Sequence, residues 1–253
     1  MIDGVGNVGS VLVIGADNPL CLATVDRLVG PRLAQVYLLD SSPVALARGS
    51  QRVREFGIPN VTEVDFRSGD TVTQAELVAN LFAQGDVDVA VIGPTPRRPA
   101  GSHPSPAGNA TTAYLQNALL DTLFLAEQCA GSIANQGHGV ICLVTHAPVK
   151  ASKVTAGFDL EYCAAMTALN ILGPTIGEIA ASNGGRTVCA ALEPARDPNS
   201  WTGTQARSAT LSPLDVASAL APRIVSRRRT RPYDVISLPT SLRASARRIR
   251  PSR

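Results

Sequence analysis

The sequence predicts an α/β fold, a doubly wound sheet of about seven parallel strands with helices on both faces. Three observations predict it. Short apolar runs rich in β-branched residues recur along the chain, the pattern of strands buried on both faces. Segments with apolar residues near helical spacing separate them, so strand and helix alternate. Finally, the first run, Val11 to Ile14, ends at Gly15 and a polar turn, Asp17-Asn18-Pro19, before a helix opens.

The elements follow in order. The residues before Val11 contain Gly4-Val5-Gly6-Asn7-Val8-Gly9, which matches GxGxxG as a string. It precedes the strand instead of following it, so it reads as a flexible leader. After Gly15, Leu20, Val25, Leu28 and Val29 lie close to helical spacing, with Asp26 and Arg27 on another face. The turn between is where a dinucleotide phosphate approaches the backbone, which is why such turns need glycines; Gly15 is the one present. Gln35 to Asp40 is the second strand, and Pro43 to Phe56 a helix. Asp40 stands 25 residues after Gly15, the place of an acid that binds an adenosine ribose and repels a 2′-phosphate, or else caps the next turn. Asn60 to Phe66 is the third strand, with Asp65 near its end, and Thr73 to Ala83 a helix.

Asp86 to Ile92 is the fourth strand, leading into Gly93-Pro94 and a Pro/Gly/Ser-rich loop over 94–108. Ala110 to Cys129 reads as a long helix. Gly139 to Val144 is the fifth strand, followed by Thr145-His146. Phe158 to Ala181 is a second long helix carrying Tyr162, and Arg186 to Leu192 the sixth strand. A loop over 193–213 holds Trp201. Ser212 as N-cap and Pro213 at the first position start a helix to about Ser226. Tyr233 to Leu238 is the seventh strand. The pattern gives one domain over 1–240 and a basic tail over 241–253.

The totals narrow the function classes. At 253 residues, with 45% hydrophobic and 17% charged content, the chain suits one globular domain with a substantial core. No apolar run reaches membrane-span length, and no leader resembles a signal peptide. The five cysteines form no CxxC pair and read as buried thiols in a reducing cytoplasm. His103, His138 and His146 lack ligand spacing, so no metal is expected. Net charge is +3, yet Arg223 to Arg253 holds ten arginines and one acid, which is +9 and leaves −6 for the rest. Such an end suits anionic lipid or phosphate, or is a solvated end in an arginine-favouring chain with only Lys150 and Lys153 as lysines. Without interleaved aromatics, nucleic acid is not expected.

The element order, with the connectors Gly85-Asp86-Val87-Asp88-Val89-Ala90, Gly137-His138-Gly139 and Leu211-Ser212-Pro213-Leu214-Asp215-Val216-Ala217, resembles the short-chain dehydrogenase/reductase family over residues 8–240. Val5-Gly6-Asn7, the Asp-Val-Asp-Val-Ala strand and the short basic end are similar to its decaprenylphosphoryl-2-keto-ribose reductase group. The resemblance implies a Rossmann-like fold and a nicotinamide cofactor on Gly15, Asp17, Asn18, Leu20, Asp40, Asp65 and Gly93, with NAD favoured over NADP through Asp40. It also implies a catalytic set at Tyr162, His146, Thr145 and Asn117. The family pattern is broken at several of these places. Its turn is Gly-x-x-x-Gly-x-Gly, and Pro19 and Cys21 stand at the second and third glycines. Its Asn-Ala-Gly after the fourth strand is Gly93-Pro94-Thr95. Its Tyr-x-x-x-Lys is Tyr162 followed by Met166, its serine is His146, and its Pro-Gly after the sixth strand is Glu193-Pro194-Ala195. Methionine neither lowers a tyrosine pKa nor holds a ribose.

Three readings stay open. In the first, the chain is a non-catalytic family member, with no cofactor or only weakly held NAD(H). It would act as a homo-oligomer, or as a hetero-oligomer with an active relative, through helices 110–129 and 158–181, where Ala164, Ala165, Ala168 and Gly173 either admit a close helix partner or pack on the sheet. In the second, it is an NAD(H)-dependent oxidoreductase in which His146 and Tyr162 form a new acid–base pair, Thr145 orients a small-molecule carbonyl, and Lys150 or Lys153 replaces the missing lysine. In the third, the same pair serves a non-redox enzyme.

Overall fold

A computed structural model describes residues 2, 6–94, 112–113, 115–146, 160–192, 213–226 and 233–238. Strands β1 (Ser10–Ile14), β2 (Gln35–Asp40), β3 (Asn60–Asp65), β4 (Val89–Ile92), β5 (Val140–His146), β6 (Arg186–Leu192) and β7 (Tyr233–Leu238) form one sheet in the order β3-β2-β1-β4-β5-β6-β7. Every neighbouring pair is parallel. Among the described residues the long helices are α1 (Pro19–Leu28), α2 (Pro43–Glu55), α3 (Thr71–Gln84), α4 (Thr122–Gln136), α5 (Leu160–Ala181) and α6 (Pro213–Val225). Strand order reverses between β1 and β4, and a crevice opens at the carboxyl ends of strands at such a reversal.

Alternate strand residues feed two cores. Val11, Val13, Val36, Leu38, Val89 and Val91 face one layer with Leu20, Val25, Leu46, Val53, Leu220 and Ile224 of α1, α2 and α6. Leu12, Ile14, Leu39, Ala90 and Ile92 face the other, with Val78 and Leu81 of α3, Leu125, Cys129 and Ile133 of α4 and Ile176 of α5. Burial on both faces is what makes these strands continuous apolar runs, each large side chain contributing about 1.5–3 kcal/mol.

Several sequence expectations are corrected. Residues 6–9 are no flexible leader: Val8 is buried, and the Gly9 N–H donates to Asp88 Oδ2 at 2.7 Å. Thr145 and His146 do not follow β5 but end it, paired with Ala191 and Leu192. The helix expected to stop at Cys129 runs to Gln136, where Gly137 takes a φ of 79° that glycine tolerates. That helix is entered through a π turn, Gln116–Asp121, in which Thr122 Oγ1 donates to the Asn117 carbonyl at 3.1 Å. A π turn inserts one residue and rotates what precedes it. Val29 lies beyond α1 and is exposed. Two of the small residues of α5, Ala165 and Gly173, pack within the chain. Ala165 is buried against Ala118 of the π turn, and a Cβ on Gly173 would meet Tyr233 Oη at 2.3 Å.

The base of the sheet, opposite the crevice, is a polar network. Ser10 Oγ donates to the Asp86 carbonyl and accepts from the Asp88 N–H. Gln136 pairs with both backbone groups of Val87, at 3.0 and 3.1 Å, and its Nε2 also reaches His138, whose Nε2 lies 3.2 Å from Asp86 Oδ2. Arg186 caps the end of α6 through the Arg223 and Ile224 carbonyls, a cation at the negative end of a helix dipole. No helix among the described residues is long and apolar enough to cross a membrane.

Candidate functional site

The crevice is built where Gly15 and Gly93 end β1 and β4. Gly15 has φ 90°, which lets the chain turn out of β1 into α1. Its N–H bonds the Leu39 carbonyl, and the Gly93 N–H bonds that of Ile14, each at 3.0 Å. Asn18 is the N-cap of α1 with Pro19 after it, the pairing favoured at helix starts. Asn18 Oδ1 accepts from the N–H groups of Leu20 at 3.0 Å and Cys21 at 3.3 Å. Its Nδ2 donates to the Pro94 carbonyl at 2.8 Å, so a buried carboxamide ties the turn to the end of β4. The Leu22 N–H is taken by the Asn18 carbonyl, the Asn18 N–H by Gly15, and the Ala16 N–H by Asp40 Oδ2. Pro19 has no N–H. A Cβ on Gly93 would meet Val144 Cβ at 2.9 Å, Cys21 Sγ at 3.0 Å and Asn18 Nδ2 at 3.1 Å, so side chains of this chain fill the space beside it.

That accounting is the test of a dinucleotide in this seat. A helix N-terminus binds a phosphate through unsatisfied N–H groups. Here the first turn of α1 has lost one donor to Pro19 and committed the others, and the crevice beside Gly93 is filled. The residues present do not fit a pyrophosphate placed on this turn.

The adenosine side differs. Asp40 is buried and accepts from Ala16 and, at 3.0 Å, from Ser42, the N-cap of α2. Asp65 pairs with Asp40 in the β2–β3 register and is exposed. Asp17 is 3.5 Å from Arg48, on the rim of a cleft of about 630 Å³ between α1, α2 and the start of α6. A Cβ on Gly49 would lie 2.2 Å from the Ala16 carbonyl, so only glycine lets α2 press against the turn.

Of the catalytic candidates, Asn117 and Thr145 have side chains among the described residues, and each bonds elsewhere. Asn117 Nδ2 bonds Ser41 Oγ on the β2–α2 turn. Beside it, buried Asp121 accepts from Ser68 Oγ, Gly69 N–H at 3.0 Å and Gln116 Nε2 at 3.1 Å, fastening the π turn to the β3–α3 loop. Thr145 is fully buried, its hydroxyl 3.2 Å from Cys189 Sγ and turned into the layer beneath α5. Cys189 Sγ also donates to Asn170 Oδ1 at 3.4 Å. Burial pushes the Cys189 thiol up, against opposing hydrogen bonds with Thr145 and Tyr233; burial, then Cys189, raises the Tyr233 phenol. Met166, four residues after Tyr162, is fully buried. His146 ends β5 and Tyr162 lies in the first turn of α5, so topology puts both backbones at the carboxyl edge of the sheet. Lys150, Lys153, Glu193, Trp201 and the arginine-rich tail over 241–253 lie outside the described residues, as does the Ser212 cap. Among the described residues no cluster has the composition of a metal site.

Sequence reasoning named Asn18 as a cofactor residue and missed its role as a cap, although Asn before Pro at a helix start is the signal for one. Ser41, Gly49, Asp121 and Cys189 were also missed; their roles depend on contacts across many residues, with no local pattern.

No family model matches the sequence. Solved structures similar in fold include a short chain dehydrogenase from Mycobacterium smegmatis, at 18% identity over 93% of each chain with a TM-score of 0.66. A metagenomic short-chain oxidoreductase in complex with NADP is 18% identical over 94% of this chain and 100% of its own, with a TM-score of 0.67. Actinorhodin polyketide ketoreductase with NADPH is 16% identical over 93% of this chain and 97% of its own, with a TM-score of 0.67. At these identities the likeness shows the fold: a parallel Rossmann-like sheet wrapped by helices.

Proposed function

We propose that this chain is a short-chain dehydrogenase/reductase by descent that acts by binding a protein partner, without hydride transfer. One observation carries the reading: Met166, fully buried, stands where the family's lysine would lower the tyrosine pKa and hold the nicotinamide ribose. A tyrosine without that cation keeps a pKa near ~10 and is a poor base at neutral pH. The partner is a second copy or an active relative, docked on the π turn and α5, where Leu120 and Ile171 are exposed. The strings Val5-Gly6-Asn7 and Asp86 to Ala90 support a place near the decaprenylphosphoryl-2-keto-ribose reductase group. Buried free thiols at Cys21, Cys129, Cys142 and Cys189 suit a reducing, cytoplasmic setting.

The second reading is an altered oxidoreductase, or a non-redox enzyme, using His146 and Tyr162. What favours it is their shared place at the carboxyl edge of the sheet. If it takes a nicotinamide, Asp40 favours NAD over NADP. NADH and NADPH oxidation by the purified protein against a panel of aldehydes and ketones separates the readings, with mass in solution measured by sedimentation. The binding reading expects no turnover and an assembly larger than one chain, alone or on mixing with an active family member. Saturable turnover abolished by Tyr162→Phe would replace it with the second reading.

A further inference from the structure

We infer that Asn18 is the resident occupant of this chain's anion seat, its carboxamide standing where a ligand phosphate would bind, so that the crevice is closed to nucleotide pyrophosphates. The inference deepens the binding reading above and rests on the same ancestry, but it concerns ligand entry and not hydride transfer. A carboxamide oxygen is a neutral acceptor. From one buried position it satisfies the Leu20 and Cys21 N–H groups, two donors that a phosphate oxygen would need. The same group's Nδ2 reaches the Pro94 carbonyl, so withdrawing it breaks bonds at both walls of the crevice. Pro19 removes a further donor, and of the N–H groups from Gly15 to Leu22 only that of Asp17 is left over among the described residues. A phosphate arriving here must displace a preorganised internal ligand and gains no uncommitted helix donor in return. The closure lies at the donors a phosphate would use.

The test uses ligands without a nicotinamide, so its outcome is independent of catalysis. ADP-ribose and adenosine are titrated calorimetrically into wild type, Asn18→Gly and Asn18→Asp. Glycine is tolerated at an N-cap and frees both N–H groups; aspartate keeps the cap and adds a charge that repels phosphate. The expected result is no saturable ADP-ribose binding to wild type at millimolar ligand. Asn18→Gly should gain at least about tenfold in ADP-ribose affinity, with no gain for adenosine and none for Asn18→Asp. A measurement on wild type alone stands should Asn18→Gly not fold: the Leu20 and Cys21 amide resonances stay in place on titration with inorganic pyrophosphate. Micromolar ADP-ribose binding by wild type would overturn the inference, as would saturable movement of those two resonances or equal affinities for folded Asn18→Gly and Asn18→Asp. If wild type binds ADP-ribose yet turns over no substrate, the closure fails while the binding reading stands. Turnover of NADH sinks the binding reading by itself.

Discussion

The Tyr233 hydroxyl donates to the Asn170 carbonyl at 3.5 Å, and Pro174, four residues on, is the reason that acceptor is available. A proline inside a helix removes the N–H that would bond the carbonyl four residues earlier. The phenol at the start of β7 supplies a donor in its place, and Gly173 leaves room for the ring. Tyr233→Phe should cost about 1 kcal/mol of stability. In a Pro174→Ala background, where the backbone donor returns, the same change should cost less. A double-mutant cycle by urea denaturation reads the coupling; equal costs in both backgrounds would refute the substitution of donors.

Gly49→Ala sets helix propensity against a collision. Alanine in place of glycine inside a helix favours folding by about 1 kcal/mol. Against that, its Cβ would stand 2.2 Å from a backbone oxygen, that of Ala16, which cannot rotate away as a side chain end does. The collision should win, with a net loss of about 2 kcal/mol measured as a lower urea midpoint at unchanged slope.

Met166→Lys places an ammonium where the methionine is fully enclosed. It should destabilise by about 3 kcal/mol and restore no NADH oxidation, whereas Met166→Leu should cost under about 1.5 kcal/mol. Thermal melts and an absorbance assay check both halves. Recovered activity in Met166→Lys would show that a single substitution had removed the chemistry.

The buried thiols give an alkaline limit to stability. Burial pushes Cys129 up to about 12 from a usual 9.0, and raises Cys142 by burial first and then by neighbouring Cys21 and Cys189. The unfolded chain loses these protons at lower pH than the folded one. Stability is therefore full below pH 9 and falls as pH rises toward 12. Urea midpoints should decline across that window, and Cys129→Ala should flatten the decline. In the native state these thiols should alkylate only as fast as the protein opens, which mass spectrometry of labelled peptides reads.

Most of the fold was legible because buried parallel strands announce themselves as apolar runs, and β2 and β6 fall where the sequence places them. Ends were less so. Thr145 and His146 read as loop residues because threonine and histidine break an apolar run, yet the ladder to β6 carries both. The π turn was invisible, since an inserted residue leaves apolar spacing nearly intact while turning Asn117 toward Ser41. At the crevice the chemistry of Pro19, Cys21 and Met166 could be read directly, for each residue type states which groups it offers. What their neighbours do could not. Asn18 reaching Pro94 is a contact across 76 residues that no spacing rule encodes.

The polar network at the base of the sheet gives the likeness in fold a particular meaning. Asp86, Val87, Asp88, Gln136 and His138 hold the strand starts together, and they lie within or beside the connector strings that most resemble the family. The two rims of the sheet thus carry different duties. The lower rim is fastened strand to strand by side chains and answers to assembly of the chain, so a substitution at the crevice leaves those fastenings untouched. A likeness in fold reports on the scaffold and carries no vote on occupation.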